Sequence, residues 1–281
     1  MRRRTKPGQL AGRVGIYAIL LVGAVIMMIP FIYSLSTSFK ENIYVFELPP
    51  QFIPEPFTWQ NYVDAWTSNH FAQYFGNSLK VAILTVALVI LVATTGAYAF
   101  ARLSFPGKEF WFLFYLVAMM IPSTVLILPQ FVLAKTFGVL NSLWGLVIIY
   151  VAGAIPFQTF LLRGFFEGIP REIEESAVID GAGYWTVYAR LILPLAKPAL
   201  GTAAIFAFLG SWDEFTWALT AINDVSLRTL PIAVRLFQGE HASQWGLVFA
   251  ASMIAILPVL VVFVTFQRYF IKGLAAGAIK G

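Results

Sequence analysis

Val81-Ala-Ile-Leu-Thr-Val-Ala-Leu-Val-Ile-Leu-Val-Ala-Thr-Thr-Gly-Ala-Tyr-Ala-Phe-Ala101 carries no charged residue from end to end. A helix needs roughly 20 mainly apolar residues to cross about 30 Å of hydrocarbon, and this stretch meets that need. Its apolar residues run on without the alternation of a barrel strand, so a helix is expected. Four more runs are equally free of charge, at residues 14–39, 110–134, 136–162 and 242–267. A sixth, at 198–223, is interrupted only by Asp213 and Glu214. Six transmembrane helices are therefore expected.

Whole-chain composition agrees. Of 281 residues, 59% are hydrophobic and 12% charged, and the mean hydropathy is +0.78. A soluble domain carries about a quarter charged residues, and one of this size could not hide so much apolar surface from water. The chain reads as an integral all-α membrane protein. With no Cys, disulfides, thiolate metal sites and Cys nucleophiles are excluded. His70 and His241 stand far apart in no ligand motif, so no metal site is expected. A net charge of +5 is better explained by asymmetry across a bilayer than by nucleic acid.

The cations set the expected orientation. Lys40, Lys80, Lys135, Arg228 and Arg235 fall on one side, and the remaining 14 of the 19 Lys and Arg fall with the N-terminus. Cytoplasmic segments carry the excess of positive charge, so both termini are expected in the cytoplasm. The first apolar run is too long for a signal-peptide core, and no small-residue cleavage site follows it; it reads as an uncleaved anchor.

Two loops are large. The outer one, residues 40–71, is rich in proline and aromatics (Pro49, Pro50, Pro54, Pro56, Phe57, Trp59) and reads as an ordered surface cap. The inner one, residues 163–197, contains Ile169-Pro-Arg-Glu-Ile-Glu-Glu-Ser-Ala-Val-Ile-Asp-Gly-Ala-Gly-Tyr-Trp-Thr-Val-Tyr-Ala-Arg-Leu-Ile-Leu-Pro194. Pro170 suits a first helical position. Glu172, Glu174 and Glu175 then lie at the positive end of the helix dipole. Gly181 after Asp180 is a helix stop. A second short helix is expected from Gly183, with Tyr184 and Tyr188 on one face and Leu193-Pro194 closing it. The result is a helix–turn–helix knob. Small Ser176, Ala177 and Ala182 permit close approach, and Tyr184 and Trp185 are interface anchors. Its acidic first turns argue against a membrane-surface helix, which favours Lys and Arg.

These residues resemble the Glu-Ala-Ala motif of ABC importer permeases: Glu-Ala-Ala, three residues, Gly, nine residues, Ile, any residue, Leu-Pro. Glu175, Ser176, Ala177, Gly181, Leu191, Leu193 and Pro194 fall on those positions, with Ser176 for the first Ala and Leu191 for Ile. Asn77-Ser78-Leu79, Ala97-Tyr-Ala-Phe-Ala-Arg102, Met120-Ile-Pro122, Pro129, Ser211-Trp-Asp-Glu-Phe215 and the closing residues 273–281 are similar to carbohydrate-type permeases. The likeness is to the shorter, six-span partner in a heterodimeric sugar importer, the kind represented by the second permease of the maltose system. It implies the type I permease fold with cytoplasmic coupling helices, in a bacterial or archaeal cytoplasmic membrane. It also implies a second permease subunit, two ABC ATPase subunits docked on the knobs, and an external solute-binding protein. The expected layout is an N-terminal tail at 1–12, a first transmembrane helix with its external loop at 13–71, a permease core at 72–267 and a C-terminal tail at 268–281. The ATPase-coupling residues implied are Glu175, Ser176, Ala177, Asp180, Gly181, Ala182, Tyr184, Leu191, Leu193 and Pro194.

No phosphate loop occurs, since the one Gly-Lys pair, Gly107-Lys108, lacks the upstream glycine. The chain is therefore no ATPase by itself; it is expected to carry no cofactor, with ATP and Mg on partner subunits. Asp213 and Glu214 lie roughly 22 Å into their run at 1.5 Å per residue. Intramembrane acids mark a pathway or, near the far headgroups, cap and pair locally; both readings stand. Trp212, Asp213 and Glu214 are the candidate path residues. Prolines 30, 122, 129, 156 and 258 fit mobile gating and static packing alike. An ion-coupled transporter would need charged relays in several runs, and an intramembrane enzyme a catalytic constellation; neither is present. A permease for glycerol phosphate or another small solute is hardly separated from one for a sugar or polyol.

Overall fold

The computed structural model describes residues 7–46, 48–49, 51–239 and 244–278, with side chains described between residues 12 and 268. The helices are α1 (Pro7–Ser38), α2 (Gln60–Thr67), α3 (Phe71–Arg102), α4 (Lys108–Met120), α5 (Ile127–Thr136), α6 (Leu143–Glu167) and α7 (Glu172–Ile179). They continue as α8 (Tyr184–Val187), α9 (Leu193–Leu195), α10 (Lys197–Trp212), α11 (Thr216–Ala221), α12 (Leu230–Leu236) and α13 (Trp245–Ala278). A π-helical turn, Tyr188–Ile192, joins α8 to α9. Lys40 and Phe57 form an isolated antiparallel bridge.

Four of the six expected crossings are single long helices: Gly12–Ser38, Phe71–Arg102, Leu143–Glu167 and Trp245–Arg268. The other two runs are broken. The run at 110–134 stops at Met120 and restarts at Ile127. Pro122 has no N–H to continue the ladder and its ring disfavours helical geometry at Ile121. The run at 198–223 stops at Trp212 and restarts at Thr216, because the Glu214 carboxylate takes the N–H groups of Trp217 (2.7 Å) and Ala218 (3.0 Å). A side chain that captures backbone donors offers the chain an alternative to continuing the helix. Tyr184–Leu195 and Lys197–Trp212 form a further apolar pair bent by 78°, where Pro198 has no N–H to continue the helical ladder to the Pro194 carbonyl.

The chain divides into two compact units, Met1–Asn69 with Val234–Ile254, and His70–Ala233 with Ala255–Gly281. In the first, no residue in the most apolar window of α1 is buried within the chain; the helix is built to face hydrocarbon or another subunit. The loop that follows is ordered by an aromatic cluster: Phe39 stacks on Phe57 (4.9 Å) and meets Trp59 (4.7 Å) and Tyr62 (5.0 Å). Asn61 Nδ2 donates to Ser38 O (2.9 Å) and Lys40 O (2.7 Å). This is the surface cap that the composition suggested.

The second unit is built on α3, α6 and α10. Small residues of α3 (Ala93, Ala97, Ala101) face those of α10 (Ala199, Ala203, Ala207), with Leu162 and Phe166 of α6 filling the same core. Small side chains let helix backbones approach closely where lipid provides no hydrophobic drive. Toward the other end, Val81, Leu146, Val147, Trp217, Ala218 and Ile222 form a second cluster.

Candidate functional site

The knob begins with α7, which starts after Pro170 rather than at it, and holds Glu172, Glu174 and Glu175 in its first turn. It ends in a Schellman turn: Gly181 N–H donates to Val178 O (3.0 Å) and Ala182 N–H to Ala177 O (2.9 Å). Gly181 has φ +88°, in the region where a Cβ is costly. The return limb does not close at Leu193-Pro194 but continues to Leu195. The two tyrosines expected on one face differ sharply in burial. Tyr188 is buried and its hydroxyl lies 2.7 Å from Thr94 Oγ1 on α3, whereas Tyr184 is 70% exposed.

The knob therefore has a buried root and an exposed tip. Val187, Tyr188, Ile192 and Ala196 sit in the span core, with Ala177, Ala182, Leu191 and Leu193 packed at its edge. Val178, Ile179, Tyr184 and Trp185 project into open space beside exposed Glu172, Glu175 and Asp180. Ser176 is exposed and its hydroxyl donates back to Ile173 O (3.0 Å); Pro194 is exposed too. Of the residues singled out from the motif, Glu175, Ser176, Asp180, Gly181, Tyr184 and Pro194 are thus accessible. Ala177, Ala182, Leu191 and Leu193 seat the knob. A rigid tip of large apolar side chains with an acidic rim is built to enter a cleft on another protein.

One anchor of the knob was not legible beforehand. Arg102, the last residue of α3, places Nε 2.5 Å from Glu174 Oε1 and donates from Nη2 to Ile169 O at 2.6 Å. Both side chains are largely buried, at 6% and 14% exposure. The Nε–H is not aligned on the carboxylate, so the contact is an ion pair rather than a hydrogen bond. The motif pointed to Glu175 and left its neighbour unremarked, because nothing in spacing tells which of three acids turns inward.

The candidate path residues are not one cluster. Trp212 is 2% exposed, stacked on Phe208 (5.4 Å), with its indole N–H donating to Ala255 O (3.1 Å). Glu214 is half-buried; besides capping α11 it accepts from Tyr150 Oη (2.7 Å) on α6. Only Asp213 is exposed. Glu214→Ala would strip two N–H groups and a tyrosine hydroxyl of their acceptor, at a cost of about 2 kcal/mol or more. The expected result is a lower melting temperature in detergent, with Glu214→Gln falling between it and the parent. Equal melting of all three would remove the capping role.

At the end of α3 away from the knob, Asn77 Nδ2 donates to Ser226 O and Arg228 O, both at 2.9 Å, and Ser78 Oγ accepts from Leu230 N (2.8 Å). Asn141, at φ +54°, accepts from the N–H groups of Asn223 (3.0 Å) and Asp224 (2.8 Å). The bond from the Ser226 hydroxyl, with that from its backbone N–H, holds the Asp224 carboxyl below its usual range. That stabilisation is present above about pH 3.9 and is lost as pH falls through the lowered value; on a fully exposed group it is small.

Among the described residues no cluster of three His, Asp or Glu has metal-site geometry; His241 lies outside them.

Residues 90–275 match the family described as binding-protein-dependent transport system inner membrane component. The chain belongs to that family. The permease is 34% identical over 266 residues to the diacetylchitobiose uptake system permease protein NgcG of Streptomyces coelicolor, covering 94% of this chain and 88% of that one. It is also 34% identical to the trehalose/maltose transport system permease protein MalG of Thermococcus litoralis, covering 94% and 96%. With the sulfoquinovosyl glycerol transport system permease protein SmoH of Agrobacterium fabrum the identity is 35%, over 94% and 92%. A chain of a bacterial ABC transporter involved in import of the acidic polysaccharide alginate shares the fold, with TM-score 0.78 and 23% identity over 96% of the permease and all of that chain. The permease is thus a multi-pass membrane subunit of the type I ABC importer fold and no enzyme itself.

Proposed function

We propose that this permease forms half of an alternating-access path for a sugar or related polyol, delivered by an external solute-binding protein. A second permease would complete the path. Two ATPase subunits, which hold the ATP and Mg, would dock on the two knobs. The observation that carries this reading is the knob itself, rooted in the span core and presenting Val178, Ile179, Tyr184 and Trp185 with an acidic rim. A chain without a phosphate loop must receive hydrolytic energy mechanically, and such a tip is the means. ATP binding would draw the knobs together and turn the path outward; hydrolysis would reset it. The sugar assignment is supported by relatives named for diacetylchitobiose, trehalose/maltose and galactooligosaccharides.

In this reading the N-terminus, the C-terminus and the knob are cytoplasmic, following the distribution of Lys and Arg. Each broken run completes one crossing, giving six. Irregular backbone at membrane depth is tolerated only where protein or a water-filled cavity covers it. The break at Asp213–Phe215 accordingly borders the path, with Asp213 presented to it and Trp212 and Glu214 holding its shape. The relative named for sulfoquinovosyl glycerol keeps an anionic solute as a second reading.

The test is purification of the tagged permease from native membranes in mild detergent, followed by reconstitution. A co-purifying P-loop ATPase and second permease, with ATP-dependent uptake of a neutral oligosaccharide, is the expected result. Uptake competed away by glycerol phosphate and not by sugars would shift the substrate class. A chain that emerges alone and transports without ATP would sink the importer reading.

A further inference from the structure

Among the four unbroken long helices, α3 alone has no interior proline: α1 contains Pro30, α6 Pro156 and α13 Pro258. Proline removes a ladder bond and is the commonest cause of a sharp kink, so α3 is the stiffest of the four. Its polar contacts lie at its two ends. At one, Arg102 holds the knob through Glu174 and Ile169 O, and eight residues back along the flank Thr94 holds Tyr188 of the return limb. At the other, Asn77 and Ser78 hold the backbone of residues 226–230 with three bonds of 2.8–2.9 Å. Asn77, Ser78 and Arg102 are all buried or nearly so. In such surroundings a broken polar contact is expensive, because no water replaces it.

The flank between these ends is different in kind. It packs on α6 and α10 through Val89, Ala93 and Ala97, and Gly96 lies against Thr159 with room for a Cβ at 3.6 Å. Small apolar contacts are non-directional and re-form after a small slide. A rod with directional bonds at both ends, whose one directional bond to a neighbouring element along the flank, among the described residues, is that of Thr94 to the knob's own return limb, transmits axial displacement. Asn77 and Arg102 are ~37 Å apart along it, at 1.5 Å per residue.

We propose that α3 is the strut by which movement of the knob reaches the loop at residues 225–230 on the opposite face, with Arg102, Glu174, Asn77 and Ser78 as its end fastenings. The idea rests on the importer reading above and adds to it which span carries the signal and where that signal arrives. None of the four is required to touch solute or nucleotide; they are positioning residues.

The experiment uses the whole reconstituted complex. In Arg102→Gln and in Asn77→Ala, solute taken up per ATP hydrolysed is expected to fall about tenfold, while hydrolysis by the partner subunits persists. The charge exchange Arg102→Glu with Glu174→Arg is expected to restore much of the loss. Combining Arg102→Gln with Asn77→Ala should cost no more than either alone, because a strut released at one end is already released. Because the chain has no Cys, spin labels at Val225→Cys and Phe160→Cys report the loop directly. Their separation should change when ATP is trapped in the parent, and remain fixed in Arg102→Gln. A loop that still moves in Arg102→Gln, or a double variant whose losses multiply to about a hundredfold, would overturn the strut. Absence of ATP-driven uptake in the parent complex would instead overturn the importer reading and this proposal with it.

Discussion

Gly181→Val is expected to abolish ATP-coupled uptake while leaving the spans folded. At φ +88° the backbone of Gly181 lies where an L residue is strained, by roughly 1–3 kcal/mol, and β-branching makes it worse. No atom lies within 4 Å of where its Cβ would stand, so the penalty is conformational and not steric. The chain relieves it by opening the turn, which breaks the bonds from Gly181 N–H and Ala182 N–H. The tip residues before the turn and Tyr184 and Trp185 after it then lose their fixed relation. Backbone strain ranks the substitutions. Asn tolerates the left-handed region and should retain most coupling, Ala should be intermediate, and Val worst. The measurement is uptake per ATP in proteoliposomes at matched expression. Equal loss in the Asn and Val variants would mean that something other than backbone geometry matters there.

Gly145→Ala is expected to do the opposite kind of damage, destroying the fold rather than the coupling. A Cβ at Gly145 would stand 2.0 Å from Val139 O and 3.1 Å from Val139 C. Those are backbone atoms, fixed by the turn at Gly138–Asn141 and by the Asn141 N–H bond to Ala221 O (2.9 Å). They cannot yield as a flexible side chain would. Overpacking of a buried site costs about 1–3 kcal/mol and more where backbone must move; about 3 kcal/mol or more is expected here. The first turn of α6 and the loop that carries Asn141 would both be displaced. The readout is the folded fraction by size-exclusion chromatography of detergent extracts. Gly153→Ala is the control, since it lies in the same helix with open space around it and should be neutral or slightly stabilising. Similar behaviour of the two variants would show that the clash at Val139 is not the cause.

The two variants mark where the sequence was legible and where it was not. The glycine stop after Asp180 could be read directly, because a left-handed helix end is a local event that needs Gly. The demand on Gly145 could not, because it comes from Val139 folding back across the start of α6, and no local pattern announces that approach. The acids divide in the same way. Glu175 was marked by motif spacing and is exposed. Glu174 next to it turns inward to Arg102, a choice made by the packing of α7 on the end of α3. Asn77 and Ser78 resembled a family segment without a stated reason; they bind backbone about 150 residues further along. The closure of such a distant contact is invisible to any window of sequence.

The broken runs carry the same lesson. By composition, residues 110–134 are as apolar as the unbroken long helices, and residues 198–223 are interrupted only by Asp213 and Glu214. Pro122 was visible as a kink candidate, but a proline inside α6 or α13 is spanned without a break. What differs is whether neighbouring groups satisfy the backbone left open. At Glu214 the carboxylate itself captured the donors, and its second oxygen found Tyr150 on another helix.

Membership of the membrane, helical character, the charge asymmetry and the existence and stop of the knob are thus determined by sequence alone. Each depends on solvent preference or local backbone energetics, which act through near neighbours. The unbroken spans, the inward acid, the buried root of the knob and the fastening of both ends of α3 were decided only by tertiary structure. They depend on which distant groups meet in a water-poor interior, where a polar atom must find its partner or pay the full cost of burial.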